Sequence, residues 1–171
     1  MRIRRAEAGD RETVAGLLTR FHSLEEVPRE WFARPDRGPG WNAAAAAFDL
    51  LLERPEYGFV LLAEDDDGTP AGVLTLLLKV STGAGSVVPV IDDIYVEPTY
   101  RRRGVARAMV QWVIDFARER GYPRVDTQVE EYSSTSGPFW HGIGFRRIGE
   151  YRVSLPVDQQ DSGGTQEPPA P

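Results

Sequence analysis

The sequence predicts a single α+β (mixed α/β) domain in which helices flank a central mixed sheet. Two patterns support this class. Three apolar, strand-like runs lie between Tyr57 and Val96 with only short turns between them, which is typical of an antiparallel meander. The last run leads into an amphipathic helical segment and then into another strand, the pattern of a strand–helix–strand crossover. The 171 residues are enough for one domain with a sizeable core.

The first part of the chain predicts one short strand and two helices. Arg2–Arg5 form the strand, and Asp10 is the expected N-cap of the helix that follows. Four apolar residues at helical spacing give this helix one buried face: Val14, Leu17, Leu18 and Phe21. Asn42 is the expected cap of the second helix, which runs through an alanine-rich segment to about Leu52.

The second part predicts the rest of the sheet and two further helices. Apolar runs predict four strands: Tyr57–Ala63, Ala71–Val80, Val87–Val96 and Val125–Val129. An arginine-led helix lies between the last two strands, with Gly121 as its stop signal. A short helix at Ser134–His141 and a closing hairpin at Phe145–Leu155 complete the domain, which we expect to span residues 1–156. Residues 157–171 are polar and rich in Gly and Pro, and we expect a disordered tail there.

Composition excludes several classes of function. There is no cysteine, so a disulfide framework, a thiolate nucleophile and a cysteine–zinc site are all ruled out. The net charge of −6 argues against nucleic-acid binding, which needs a basic surface. No apolar run approaches the roughly 20 residues of a membrane span, and the first residues lack the apolar core of a signal peptide. We therefore expect a cytoplasmic protein with no membrane contact and no metal site.

The segment Tyr100–Val110 reads YRRRGVARAMV and places three arginines where a helix is expected to begin. A helix N-terminus carries unpaired N–H groups and partial positive charge, so it favours acidic residues. The arginines can simply point into water, or they can complement a bound anion, and considered alone they leave both interpretations open. The preceding strand and turn, with Gly104 allowing close approach to the backbone, favour a phosphate-binding site.

IDDIYVEP at residues 91–98, RRRGVA at Arg101–Ala106 and FWHGIGFRR at residues 139–147 follow one another along the chain. Together these three segments resemble landmarks of the GNAT superfamily of acyl-CoA-dependent N-acetyltransferases. Arg101–Ala106, RRRGVA, resembles that family's acyl-CoA loop, Arg/Gln-x-x-Gly-x-Gly/Ala. The preceding IDDIYVEP resembles its central strand, and FWHGIGFRR resembles its C-terminal Phe-Tyr-x-x-x-Gly-Phe segment. The resemblance is strong over Asp92–Phe145, extends in outline over Arg2–Leu155, and does not include the tail.

The resemblance implies acetyl-CoA as co-substrate and a set of residues that hold it. The pyrophosphate would be held by the loop, whose residues are Arg101, Arg102, Arg103, Gly104, Val105 and Ala106. The main chain of Ile94 and Val96, in a strand that carries a bulge in this family, would hold the pantetheine arm. Ser133 falls where the family has an asparagine. The chemistry is direct attack by an amine, which agrees with a chain that lacks a convincing nucleophilic triad.

An attacking ammonium must first lose a proton, so a carboxylate or a water chain is expected as general base. Asp92 and Asp93 lie on the strand beside the expected acetyl site. Strand alternation puts Asp92 on the face of Ile94 and Val96, although a bulge would change that parity. Asp126 on the neighbouring strand is a third candidate. Each of these acids can instead cap a helix, pair with an arginine or only bind a cationic substrate.

The sequence departs from the family where the departing thiolate is protonated. The usual tyrosine falls at Trp140, and an indole N–H is no proton source near neutral pH. Tyr132, Ser133 or water can replace it, or the thiolate can leave unassisted, since thiols have a pKa of about 8.5.

The expected function is acetyl-CoA-dependent N-acetylation of a primary amine, either small or peptidyl, with a small cationic amine favoured. The alternative is a non-catalytic CoA-binding or regulatory module, motivated by Trp140. A protein-binding domain without a cofactor is the third hypothesis. The resemblance is compatible with a homodimer.

Overall fold

A five-stranded mixed sheet organises the computed structural model, which describes residues 1–23, 40–129 and 136–148. The elements in chain order are β1 (Arg2–Arg5), α1 (Arg11–His22), α2 (Gly40–Glu53), β2 (Gly58–Glu64), β3 (Pro70–Ser81), β4 (Ser86–Val96), α3 (Val105–Glu119), β5 (Asp126–Thr127) and α4 (Ser136–Ile143). The strands are arranged in the order β1-β2-β3-β4-β5. The first four pair antiparallel, and β5 pairs parallel to β4. The predicted meander and crossover are confirmed.

Each face of the sheet is covered by its own pair of helices, and the core has two layers. One face packs against α3 and α4 through a cluster that includes Leu61, Leu74, Leu76, Ile91, Met109, Val113 and Trp140. The other face packs against α1 and α2 through a cluster that includes Val14, Leu17, Phe48, Val60, Leu62, Val73 and Tyr95. The middle of β2 is buried on both faces, which explains its continuous apolar run.

The helix starts differ from the predicted ones. Asp10 occupies the N-cap position of α1, but its carboxylate makes no capping bond to that helix and instead accepts the Glu7 N–H at 2.7 Å. Helix α2 begins at Gly40, so Asn42 lies inside its first turn and is not its cap. Helix α3 begins at Val105, and the arginines that were expected to open it lie in the preceding turn.

The C-terminal part of the predicted sheet is shorter than expected where the structure describes it. Of the predicted strand Val125–Val129, only Asp126 and Thr127 pair with β4, because β4 bulges immediately after the residues that they contact. Residues 145–148 form no strand. The rest of the predicted hairpin, the first two residues of the predicted last helix and the tail lie outside the described residues. Among the helices that are described, none has the length and apolar character needed to cross a membrane.

Arg4 on β1 connects two neighbouring elements through charged hydrogen bonds. Its Nη1 and Nη2 donate to the two carboxylate oxygens of Asp10 at 2.6 and 2.8 Å, and its Nε donates to Glu64 of β2 at 2.9 Å. The hydrogen bond from Arg4 holds the pKa of Asp10 below its usual value. A carboxyl whose pKa is depressed by folding stabilises the protein above its unfolded pKa, and this contribution is lost as the pH falls through the folded pKa.

We predict that Arg4→Met lowers the free energy of unfolding by about 2 kcal/mol near neutral pH, because two partly buried carboxylates lose a charged donor. The wild type should lose stability as the pH falls below about 4, and the variant should lose less over the same range. Denaturant unfolding near neutral pH and at about pH 3 measures both effects. Arg118→Met removes an exposed ion pair with Asp115 and should change stability by less than about 0.5 kcal/mol. Equal losses for the two variants would contradict the prediction.

Candidate active site

A β-bulge interrupts β4 at Asp92. Leu76 of β3 lies opposite Ile91 and Thr75 lies opposite Asp93, so Asp92 has no partner in that ladder. Ile91 and Ile94 consequently pack on the same face of the sheet, against α3, although regular alternation would place them on opposite faces. The expectation that Asp92 shares the face of Ile94 and Val96 is therefore wrong, because the extra residue reverses the phase of the strand.

Beyond the bulge, one edge of β4 is open. The Glu97 N–H donates to the Ala71 carbonyl at 3.0 Å on the β3 side. Because alternate residues of an antiparallel strand direct both main-chain groups to the same side, those of Ile94 and Val96 face away from β3, toward β5. Strand β5 pairs only with Val90 and Ile91, so within the described residues no strand pairs with this edge.

A groove of about 480 Å³ begins at the bulge. Its lining residues come from four strands or their ends: Tyr57, Leu77, Leu78, Lys79, Val90, Asp92 and Gln128. The side chain of Asp92 is exposed, and its carboxylate has no hydrogen bond or ion pair with any described residue. The groove thus combines an apolar floor with an accessible carboxylate, an arrangement that can bind an amine.

The other acidic candidates differ in their surroundings. Asp93 is half-buried and lies opposite Thr75, whose buried hydroxyl has no hydrogen-bond partner within the described part of the chain. Asp126 lies opposite Val90, and its carboxylate accepts Arg124 Nε at 2.9 Å. The remaining candidates, Tyr132 and Ser133, lie outside the described residues. Of the three aspartates, only Asp92 lines the groove.

The loop before α3 has an unusual backbone. Arg102 has a φ of 62° and Gly104 has a φ of 83°, so two nearby residues are left-handed. Such a conformation is costly for a residue with a Cβ and is concentrated at functional sites. A Cβ placed at position 104 would meet no protein atom within 4 Å. Glycine is therefore favoured there by the backbone conformation, and the space beside it is open.

The N-terminus of α3 has unsatisfied donors. No side chain caps it, and within the described residues the N–H groups of Val105, Ala106 and Arg107 find no backbone acceptor. Val105 is buried in the core, which anchors the first turn. Unsatisfied N–H groups of a helix N-terminus favour an anion.

The three arginines of the loop have different roles. Arg101 Nε donates to the Val96 carbonyl at 3.0 Å, which ties the loop to the end of β4. The Arg103 guanidinium lies over the Tyr100 ring, 5.6 Å from its centroid. Arg102 is exposed, and its side chain forms no hydrogen bond and no cation–π contact with a described residue. The positive charge available to an anion at the helix N-terminus is therefore that of Arg102 and Arg103.

Trp140 is a core residue. Its side chain is only 6% exposed and belongs to the cluster beneath α3. Its ring centroid lies 5.0 Å from those of Phe139 and Phe145. Packing explains why an aromatic residue is present at this position.

The groove contains residues that sequence reasoning does not single out, namely Tyr57, Lys79 and Gln128. They lie on or next to three different strands, and no motif joins them. Lys79 alone carries a compositional signal, because it is the only lysine among 20 basic residues.

Comparison with known proteins identifies the family. Residues 21–145 match the family model described as the Acetyltransferase (GNAT) family. The chain belongs to this GNAT family. The loop, the bulged strand and the open edge described above are thus features of a GNAT domain.

Individual relatives agree with this assignment. The chain is 30% identical to N-acetyltransferase 8 of Homo sapiens over 194 residues, covering 86% of this chain and 85% of the human protein. It is 31% identical to N-acetyltransferase family 8 member 2 of Rattus norvegicus over 101 residues, covering 58% of this chain but only 43% of the rat protein. The chain therefore spans less than half the length of some curated relatives that it matches.

Solved structures share the fold. A probable acetyltransferase superimposes with a TM-score of 0.75 at 23% identity, covering 94% of this chain and 100% of that one. An aminoglycoside N-acetyltransferase in complex with CoA superimposes with a TM-score of 0.71 at 18% identity, covering 91% and 94%.

We predict that Trp140→Phe lowers the free energy of unfolding by about 1–2 kcal/mol, because the smaller ring leaves part of a buried site unfilled. The control is Ile148→Ala, at a side chain that is 66% exposed, which should change stability by less than about 0.5 kcal/mol. Denaturant unfolding of both variants tests the packing role of Trp140. If Trp140→Phe lowers the free energy of unfolding no more than the control does, the indole is not a packing element.

Proposed function

We propose that this GNAT domain is an acetyl-CoA-dependent N-acetyltransferase that acetylates a primary amine by direct attack. The observation that carries the proposal is the bulge in β4. It opens a main-chain edge on one side of the strand and exposes the Asp92 carboxylate in a groove. The names of the relatives, which are N-acetyltransferases, and the CoA complex of a structural neighbour support it.

The residues of the loop fit the anionic part of CoA. The free amides at the start of α3 and the open space beside Gly104 suit a pyrophosphate, and Arg102 and Arg103 add positive charge. The main-chain groups of Ile94 and Val96 suit the amides of the pantetheine arm, with the Val96 carbonyl shared with Arg101. When bound, acetyl-CoA supplies an acetyl thioester, whose carbonyl carbon is the electrophile.

Asp92 is the proposed general base. Its carboxylate attracts an ammonium group into the groove and accepts the proton that the amine must lose, directly or through water. Asp126 is less suitable because Arg124 already occupies its carboxylate. Asp93 lies opposite Thr75, outside the lining of the groove. Trp140 is buried in the core and donates no proton, so the thiolate is protonated by Tyr132, Ser133 or water, or leaves unassisted.

The lining of the groove also indicates the chemical class of the acceptor. An exposed carboxylate beside apolar side chains favours an amine that is protonated in solution, either a small molecule or the end of a peptide. The sequence resemblance favours a small cationic amine, and the groove is compatible with one at its Asp92 end.

We predict that Asp92→Asn lowers kcat/KM by about 100- to 10,000-fold, which is the usual contribution of a general base, and leaves CoA affinity nearly unchanged. Steady-state acetylation of the best amine from a panel, together with calorimetric titration of CoA, measures both quantities. Asp126→Asn and Trp140→Phe are the controls and should each retain most of the activity.

Two results would contradict this assignment of roles. Inactivity of Trp140→Phe combined with normal activity of Asp92→Asn would show that proton donation, rather than proton removal, limits the reaction. CoA binding by the wild type without turnover of any amine would favour the alternative of a non-catalytic CoA-binding module.

We predict that Gly104→Glu abolishes CoA binding, because it places a carboxylate in the open space beside the free amides. Gly121→Glu is the matched control, because Gly121 follows the far end of α3, is also left-handed and has open space beside it. It should retain measurable affinity in the same titration. Circular dichroism checks that both variants fold, and unchanged CoA affinity of Gly104→Glu would exclude this loop as the CoA site.

A further inference from the structure

Lys79 is the only lysine of the chain, and it lies in the groove that begins at Asp92. It is exposed, and alternation along β3 places it on the same side as Leu77, which also lines the groove. Several arginines of the described residues differ from it in having carboxylate partners. Carboxylates pair with Arg4, Arg11, Arg20, Arg54, Arg118 and Arg124. Lys79 has no ion pair or hydrogen bond with any described residue.

The strand register gives the spacing between the two charges of the groove. Leu77 lies opposite Val90, and Asp92 lies beyond Ile91 at the bulge. With a rise of about 3.4 Å per residue and about 4.8 Å between strands, the Cα atoms of Lys79 and Asp92 are about 13 Å apart. This separation is too large for a direct ion pair with a short Asp side chain. The apolar side chains of Leu77 and Val90 lie between the two charges.

The groove is therefore dipolar, with a carboxylate at the bulge, an apolar floor and an ammonium group at the far end. A ligand with a second positive charge would meet the Lys79 ammonium, and like charges repel. A ligand with an anion at that end would gain a charge-assisted hydrogen bond. The long stem of lysine lets its ammonium follow anions at somewhat different distances from the amine.

We propose that Lys79 binds an anionic group of the acceptor, so that the substrate is an amine that carries a carboxylate or phosphate several ångströms from its nitrogen. This inference rests on the proposed function and narrows it, because it disfavours polyamines among the cationic amines. Lys79 is a specificity residue. It contacts the far end of the acceptor and takes no part in moving the proton.

The test compares four acceptors that carry an amine at one end of a six-carbon chain. The other end is a carboxylate in aminohexanoate, a phosphate in aminohexyl phosphate, a hydroxyl in aminohexanol and a second amine in diaminohexane. For the wild type, kcat/KM for the better anionic acceptor should exceed that for aminohexanol by about 10-fold, with diaminohexane the poorest. The anionic acceptor with the higher kcat/KM indicates whether the natural anionic group is a carboxylate or a phosphate.

Variants at position 79 identify the source of the preference. Lys79→Met keeps the length of the side chain and should abolish the preference mainly through KM, whereas Lys79→Arg should retain it. Lys79→Glu should reverse it in favour of diaminohexane. High salt should reduce the wild-type preference, because exposed charges are screened. Arg118→Met removes a distant exposed positive charge and should leave the preference unchanged.

The outcomes separate this inference from the proposed function. Equal turnover of all four acceptors by the wild type, or an unchanged preference in Lys79→Met, would overturn the role of Lys79 while the acetyltransferase activity stands. Failure of the wild type to acetylate any amine would overturn the proposed function, and this inference with it.

Discussion

The single extra residue in β4 is the constraint on which the rest of the site depends. Without the bulge, Ile91 and Ile94 would lie on opposite faces of the sheet, and one of them would leave the core beneath α3. With it, Ile91 is buried in that core and Ile94 packs against the same core from the same face. As a consequence, Asp92 has no pairing partner on β3, and β5 pairs with β4 only as far as Ile91. An open edge and an exposed carboxylate are both consequences of packing the core.

The loop before α3 is held in place by contacts with the same strand end. Arg101 donates to the carbonyl of Val96, and Glu97, the next residue, forms an ion pair with Arg20 of α1 at 2.6 Å. Val105 enters the core one residue after Gly104. The left-handed backbone at Arg102 and Gly104 is thus fixed between a tethered strand end and a buried first turn. A loop constrained at both ends can keep its N–H groups directed outward without a ligand.

Much of the fold can be predicted from periodicity, because buried faces impose it. The helical spacing of Val14, Leu17 and Leu18 and the apolar runs of the strands identify elements to within a few residues. The bulge cannot be located in this way, since the letters IDDIYV are compatible with either parity. Helix starts are also poorly predicted, as Asp10 shows: its carboxylate accepts hydrogen bonds from Arg4 of β1 and from the Glu7 N–H, and it makes no capping bond to α1. The loop motif is local in sequence and is found easily, whereas the groove joins separate strands.

The distribution of charge around the groove shows why such a site escapes sequence reasoning. In a chain of net charge −6, a lone lysine on a strand is unremarkable, and only the register reveals that it shares a groove with the bulged aspartate. A lysine and an aspartate that are too far apart to neutralise each other both keep their charge available to a ligand. An arginine at the same position would prefer planar, bidentate partners, whereas a lysine ammonium is a compact point charge on a flexible stem. The choice of lysine is therefore consistent with a position that must find an anion at the end of a bound molecule rather than a fixed partner in the protein.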